Sequence, residues 1–580
     1  MSAVEELSKA QEEVVDLPAE PFVVSACAGS GKTKTAVHRV AAMQNRLTDR
    51  IGRILLLSFS NVAVETFQRE YGMLVTNDKR RIGPIVEIDT VDGFLTKNLL
   101  RPHGHRVMGC DRCPFLVDGR EPFLKHFTVW DGSKPARTAD LRITMDGGKF
   151  SFRVGKWAGT AISRTPAVEA LEKLGAVGAY THESARYWAY RLLNEVPFVL
   201  RAIARRYSHI LVDEAQDIGT IHQALLEKIS DAGAELSLIG DVNQGIFEFT
   251  GATGDFLGNY HSRAGVTAKE LNRNFRSVPS IVKIANQLSG RKDEPDRAAP
   301  DELSGAFYIA VDHDKRDEAL LRFKKFLDKG SISQSKGVVV FRSSEVFNTW
   351  SGPGDPQGQG VIKSFVASAR WRDQAKRFDQ AFSQACAGIV GLLDDGHGDL
   401  LSLIKGQAVS QELRGVRREI WNFVKNPATG LPASNLDAVK EWHPQLVVRV
   451  KALLGRLEKQ YGFVSGDNLG NRLKKTALPN GPLVEAPEGD EPQNLQFRLS
   501  TVHKVKGESL DGVMYVASRS NIEEFLAGTK TENGKIGYVA LTRARNVFVL
   551  AVPSDAIAAL KPLLDATGFQ DGDVCALAGA

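Results

Sequence analysis

Residues 21–33 read PFVVSACAGSGKT, and they constrain the architecture more than any other segment. The apolar run Phe22, Val23, Val24 has the character of a buried strand, and Ala28, Gly29, Ser30 and Gly31 follow it without bulk. A tight strand-to-helix turn built from such residues lets successive backbone N–H groups point at one anion. A helix starting near Lys32 adds its positive end. The stretch therefore reads as a phosphate-binding loop in a parallel α/β protein. Lys32 would reach the β- and γ-phosphates as a point charge, and the Thr33 hydroxyl would ligate Mg²⁺ brought by the nucleotide. Ala28 to Thr33 and Thr35, in the first turn of the helix, are the residues assigned to ATP here. The first position of the GxxxxGK[ST] pattern is Ala26.

Outward from the loop, Gln11 sits in a short amphipathic segment, a place from which its amide can read both N6 and N7 of adenine. Downstream, Ile54-Leu55-Leu56-Leu57 reads as a buried strand ending in Ser58-Phe59-Ser60-Asn61, and residues 84–88 lead to a second polar tip that contains Thr90 and Asp92. In open parallel sheets, ligands bind at such carboxyl-end tips. His209-Ile210-Leu211-Val212 is another strand, and it runs into Asp213-Glu214-Ala215-Gln216-Asp217. Beside a phosphate loop, Asp213 suits Mg²⁺ and Glu214 suits orienting and deprotonating water. The strand 236–239 then leads to GDVNQGIFEF, in which Gln244 can sense the γ-phosphate, and Phe247 and Phe249 can offer faces to unpaired bases.

The rhythm breaks over residues 101–201. His103, His105, Cys110 and Cys113 form an H-x-H…C-x-x-C cluster whose donors suit zinc, although no second C-x-x-C anchors it. Residues 141–154 predict a hairpin turning at Gly147-Gly148, and residues 182–206 predict helix broken at Pro197. At 580 residues the chain exceeds one core, and 43% hydrophobic with 25% charged content is ordinary for a globular protein. A net charge of +5 confines any nucleic-acid surface to a local stripe. No apolar run has the length of a membrane span, and the five cysteines are sparse, with Cys27, Cys386 and Cys575 each far from any other, which suits a reducing compartment, so a cytoplasmic protein without membrane partners is expected.

The order of ACAGSGKT, LLLSFSNVAVETF, LVDEAQD and LIGDVNQGIFEFTGA resembles the UvrD/Rep/PcrA group of superfamily 1 helicases. Residues 271–277, LNRNFRS, are similar to that family's N-[YF]-R-S motif. LSTVHKVKG at 499–507 is similar to T-x-H-x-x-K-G, and YVALTRAR at 538–545 to Y-V-[AG]-x-T-R-A-R. The resemblance implies two RecA-like parallel-sheet motor domains, each with an inserted accessory domain. Residues 1–100 and 202–270 would form the first, interrupted by 101–201; residues 271–350 and 495–580 would form the second, interrupted by a mainly helical 351–494. It implies ATP and Mg²⁺ in the cleft, with Phe275 on adenine and Arg276 and Arg543 as γ-phosphate fingers. Single-stranded DNA would lie across Phe59, Asn61, Thr90, Phe247, Phe249, Thr501 and His503, with 3′-to-5′ translocation. Asp92 stands where the family usually has His, Phe249 where it has Trp, and Glu508-Ser509-Leu510 where it reads x-E-F.

In 351–494 the spacing of Phe378, Phe382, Ala385 and Ile389 predicts a core helix that makes Cys386 a packing residue. Lys363, Arg370, Arg372, Lys376 and Arg377 are either a solvated face or contacts to a duplex backbone. Two functions stay open: an autonomous helicase acting at junctions of single- and double-stranded DNA, and a DNA-sensing ATPase partnered with a nuclease or repair protein, in repair or phage defence.

Overall fold

A computed structural model describes residues 6–46, 52–75, 85–117, 119, 121–155, 159–247, 251–312, 315–343, 346–347, 350, 358–374, 376–394, 400–405, 411–484 and 497–577 of the chain. The chain divides into two compact units, one made of Met1–Val311, Leu321–Arg342 and Val502–Ala580, the other of Asp312–Leu320 and Ser343–Thr501.

In the first unit the apolar runs become a parallel sheet, with Thr267–Leu271, Phe22–Ala26, Glu235–Gly240, Tyr207–Val212, Arg53–Ser58 and Ile85–Thr90 side by side in that order. Ile54 to Leu57 are all at most 1% exposed. Such a strand is covered on both faces, which is why its sequence shows no alternation. Its side chains nonetheless alternate in destination. Ile54 and Leu56 join Phe22, Val24, Val37 and Val40 in one core, while Leu55 and Leu57 join Val23, Ile210, Leu99 and Trp188 in another.

That second core extends into the 101–201 segment, so the expected insertion packs as a continuation of the sheet's own face. Its hairpin forms as predicted, Leu141–Asp146 against Lys149–Val154, with a third strand at Thr160–Ile162. The turn uses Gly147 and Gly148, both at positive φ. The predicted break also forms: one helix covers His182–Glu195 and the next begins at Pro197, where the missing N–H leaves no helical bond unmade.

A further parallel sheet in the same unit orders Gly337–Phe341, Leu510–Val516, Ala544–Pro553, Gly305–Val311 and Gln570–Asp571. The helix Glu532–Arg543 is buried from Gly534 to its end, and it delivers Arg543 at the boundary with the next strand.

The second unit is helical. Gly360–Asp373, Phe378–Val390, Gln411–Lys425 and His443–Tyr461 close over a core that contains Phe365, Phe382, Trp442 and the fully buried Cys386. Phe378, expected in this core, opens its helix half-exposed. Arg372, expected on a basic face, is 3% exposed and donates to the carbonyls of Val424, Leu431 and Pro432 and to Asp373. It is a structural tie and cannot touch a duplex.

Candidate nucleotide site and nucleic-acid face

The loop after Phe22–Ala26 turns through Gly29 and Gly31 at φ +70° and +76°. Both positions also need the absence of a side chain. A Cβ on Gly29 would lie 2.6 Å from the Arg276 Cβ, and one on Gly31 would lie 2.5 Å from Gln11 Nε2. Gln11 belongs to a capped helix, Lys9–Val15, and its Nε2 donates to Ser30 O at 2.9 Å. The Lys32 ammonium donates to Cys27 O at 3.3 Å, and Phe275 N donates to Gly29 O at 3.0 Å. Thr35 turns away from the ligand side: it is fully buried, and its hydroxyl donates to Gly31 O.

A cavity of about 750 Å³ opens at the loop, and Lys32, Thr33, Glu214, Gln244, Arg276 and Arg543 all line it. One wall comes from Lys34, His38, Thr66 and Glu70 on the two helices after the first strands; Lys34, His38 and Glu70 stand outside any motif, and Thr66, inside LLLSFSNVAVETF, has nothing in its spacing that marks it for the cavity. Arg276 is aimed by its surroundings. Asn274 Oδ1 accepts from the backbone N–H of both Arg276 and Ser277, while the guanidinium donates to Ser509 Oγ at 2.7 Å and Thr542 O at 2.9 Å. Arg543, 2% exposed, donates to Gln244 Oε1 at 2.9 Å, and its Nε has no partner. Gln244 in turn donates to Asp241 Oδ2 at 2.8 Å. Burial, then the nearby Arg543 and Arg545 charges, push the Arg276 guanidinium well below its ordinary pKa. Two cations held together at a cavity are relieved by an anion between them.

Opposite them, Asp213 is 1% exposed, and its Oδ1 has no hydrogen-bond partner. Burial and the neighbouring Glu214 charge push its carboxyl up. For Glu214, burial acts upward too, but Lys32, Lys506, the Gln216 amide and Arg543 outweigh it and keep the carboxylate ionised. The Glu214 backbone is left-handed at φ 55°, unusual for a residue with a side chain, and such strain collects at working sites. The orphaned buried oxygen of Asp213 and the Thr33 hydroxyl at the cavity are a donor set that fits Mg²⁺ bound with a nucleotide.

Of the residues expected at nucleic acid, Phe247 and His503 meet, ring centroids 5.7 Å apart, and Lys506 lies 4.9 Å over the Phe247 ring. Asn61 opens the helix Asn61–Val75 in an exposed position. The Thr90 hydroxyl caps the following turn by accepting from Gly93 N at 2.9 Å. Phe59 packs against His222, and Thr501 ends the strand Arg498–Thr501. Phe249 lies outside the described residues.

The candidate zinc cluster does not assemble. Among the described residues no group of three or more His, Cys, Asp or Glu is arranged to hold a metal. His103 and His105 fall in separate short helices, and the thiols of Cys110 and Cys113 find backbone carbonyls at Arg112 and Arg101. Closeness in sequence is undone here by helical turns that leave the four donors unconverged.

A phosphate loop at the end of a parallel-sheet strand, with Glu214 and two arginines lining the same cavity, defines a P-loop nucleotide-site protein. Residues 7–144 and 174–264 match the UvrD/REP helicase N-terminal domain. It is 23% identical over 579 residues to the ATP-dependent DNA helicase UvrD1 of Mycobacterium leprae, covering 89% of this chain and 70% of that one. It is 24% identical over 364 residues to DNA helicase II of Escherichia coli, covering 59% of this chain and 49% of that one. A 123-residue stretch, 20% of this chain, is 32% identical to an ATP-dependent helicase/nuclease subunit from Natranaerobius thermophilus, 10% of that protein. The chain thus spans about half the length of DNA helicase II.

Proposed function

We propose that this protein is an ATP-dependent DNA helicase that moves 3′ to 5′ on single-stranded DNA, with ATP bound between two RecA-like lobes. Residues 1–100 with 202–270 and residues 271–350 with 495–580 are the lobes on this reading; 101–201 and 351–494 are accessory insertions. One observation carries it: Lys32 and Glu214, each just past a strand of the first sheet, Arg276, just past the short strand Arg273–Asn274, and Arg543, at the end of the helix that leads into the second sheet, line a single cavity within one compact unit. Lys32 and the loop N–H groups hold the phosphates, with Gln11 and Phe275 at the base. An ionised Glu214 accepts the proton of the attacking water, and Arg276 and Arg543 balance charge on the transferred phosphoryl group. Thr33 and Asp213 would hold Mg²⁺, which neutralises phosphate charge when bound. Loss of the γ-phosphate removes what the two arginines share with Lys32, which lets the lobes separate and drives movement along Phe59, Phe247 and His503.

A nuclease-associated ATPase is the second reading, supported by the similarity to the helicase/nuclease protein of Natranaerobius thermophilus. That similarity is short and speaks for a shared motor before a shared assembly. No helix among the described residues is long and apolar enough to cross a membrane, which fits action on DNA in the cytoplasm. Steady-state ATP hydrolysis with no nucleic acid, single-stranded DNA, duplex DNA or single-stranded RNA tests the proposal, with Lys32→Ala and Glu214→Gln alongside. Stimulation by single-stranded DNA that both variants abolish is expected, with unwinding of 3′-tailed and not 5′-tailed duplexes. Hydrolysis indifferent to DNA would overturn it.

A further inference from the structure

Asp92 takes part in a contact that neither the nucleotide site nor the nucleic-acid face explains. It sits one turn beyond the strand Ile85–Thr90, at the carboxyl edge of the sheet. Arg186, on the helix His182–Glu195, grips it with two bonds, Nε to Oδ1 at 3.1 Å and Nη2 to Oδ2 at 2.8 Å. His222, on the helix Thr220–Asp231, meets the same Oδ1 through Nε2 at 2.9 Å. Glu183 holds the far side of Arg186 at 3.1 Å. His222 is 6% exposed, and its ring stands edge-on to Phe59, with centroids 5.8 Å apart and planes at 70°. Four separate elements thus meet in one line: Arg186, Asp92, His222, Phe59.

The chemistry of that line is directional. Asp92 is ionised, because, against a burial that by itself would raise its pKa, the hydrogen bonds from His222 and Arg186 and the Arg186 charge prevail. An ionised carboxylate only accepts, so the proton of His222 must be on Nε2, which fixes the tautomer and the plane of the ring. Burial, opposed by the Asp92 bond, favours the neutral form of that ring. A histidine in place of Asp92 could not accept from Arg186 and His222 together; the acid is what allows both neighbours to be held at once.

We propose that Arg186, Asp92 and His222 are positioning residues that hold the Phe59 ring in a fixed orientation for stacking on an unpaired base. The unit also ties that ring to the 101–201 segment, which supplies Arg186. The inference rests on the reading of Phe59 as a base-stacking residue, and the experiment separates the two. Equilibrium binding of a fluorescent single-stranded DNA oligonucleotide is measured for the parent, Phe59→Ala, His222→Ala, His222→Gln, Asp92→Asn and the Phe59→Ala/His222→Ala double variant. Each protein is first checked for native circular dichroism. A matching oligonucleotide with abasic sites is run in parallel.

Phe59→Ala should weaken binding roughly 5- to 100-fold, the span of one lost stacking contact. His222→Ala and Asp92→Asn should each cost about 3- to 10-fold on the same scale. The double variant should bind no more weakly than Phe59→Ala alone, because His222 acts only through that ring. His222→Gln, which keeps an N–H for Asp92, should recover part of the loss. On the abasic strand all variants should match the parent. Multiplying losses in the double variant, or equal losses on the abasic strand, would overturn the proposal while leaving Phe59 as a stacking residue. Parent-like binding by Phe59→Ala would remove the stacking reading and the proposal with it.

Discussion

Lys506 and Asp217, 289 residues apart, form an ion pair at 2.5 Å, and the same ammonium donates to Gln244 O at 2.9 Å. Both side chains are buried, 9% and 3% exposed. The Lys506 ammonium also lies over the Phe247 ring. One cation thus connects the acidic segment after Asp213, the Gln244 loop and the face expected to meet DNA. Burial pushes the Asp217 carboxyl up to about 6, and Lys506 is what holds it from rising further.

Removing one partner of such a pair leaves the other charge uncompensated. Lys506→Met should destabilise the protein by about 3–5 kcal/mol, read as a lower midpoint in denaturant or thermal unfolding. The Lys506→Met/Asp217→Asn double variant should recover most of that stability, since neither charge is then stranded. DNA stimulation of ATP hydrolysis should stay lost in both. A double variant that regains stimulation would mean that the pair only supports the fold.

The two arginines at the cavity act on different partners and should fail separately. Arg276→Ala and Arg543→Ala should each lower kcat for ATP by about 10³- to 10⁵-fold, with a much smaller change in nucleotide Kd. Arg543→Ala also frees Gln244 Oε1. The response of its residual hydrolysis to DNA should therefore vanish, while that of Arg276→Ala persists. Single-turnover hydrolysis with and without single-stranded DNA reads both effects.

Local spacing made much of this site legible. The small-residue turn before Lys32 and the strand ending in Asp213-Glu214 each carry their chemistry within a few residues, so their pattern survives without knowledge of the fold. Pairings across the chain do not have that property. Nothing adjacent to Asp92 announces Arg186, 94 residues on, and nothing near Asp217 announces Lys506, although both lysine and aspartate lie inside stretches already recognised as motifs. Asn274 was visible only as part of LNRNFRS, whereas its role is to accept two N–H groups and so aim Arg276. Cys110 and Cys113 show the converse: they are close in sequence, yet among the described residues they join no group of donors arranged to hold a metal.

Arg39 ties the segment carrying Gln11 to the helix behind the phosphate loop. Its guanidinium is fully buried and donates to the carbonyls of Val15, Leu17 and Pro18, just past the end of the Lys9–Val15 helix, and it lies 5.2 Å over the Phe22 ring. Burial, then the neighbouring Arg46, lower its pKa to about 10, so it remains a cation at neutral pH. Arg39→Ala would remove these charge-assisted bonds, worth about 1.5–3 kcal/mol, leaving Val15 O and Leu17 O to Arg46 and Pro18 O to Glu20 N, and would loosen Gln11. The KM for ATP should rise about 10-fold or more while kcat changes less, and discrimination between ATP and GTP should fall, an effect of about 1–2 kcal/mol for a lost base contact. Initial-rate kinetics with both nucleotides measure this. Unchanged discrimination would show that Gln11 does not read the base.

The depressed Asp92 carboxyl sets the sign of one acid response. A carboxyl whose folded pKa lies below its unfolded value contributes stability that is present above the unfolded value, about 3.9, and is lost as pH falls through the folded one. Asp92→Asn abolishes that contribution while keeping the side-chain shape, and it removes charge-assisted bonds worth about 1.5–3 kcal/mol. The variant should therefore be less stable than the parent at pH 7, and the gap should narrow as the pH is lowered below about 4. Glu87 and Asp373, also held below their ordinary values, lose stability in the same direction in both proteins and cancel in the comparison. Denaturant unfolding of the two proteins at pH 7 and pH 3.5 measures the gap. A gap of the same size at both pH values would mean that the lost interaction is one of shape, and that the charge of Asp92 contributes nothing to holding Arg186 and His222.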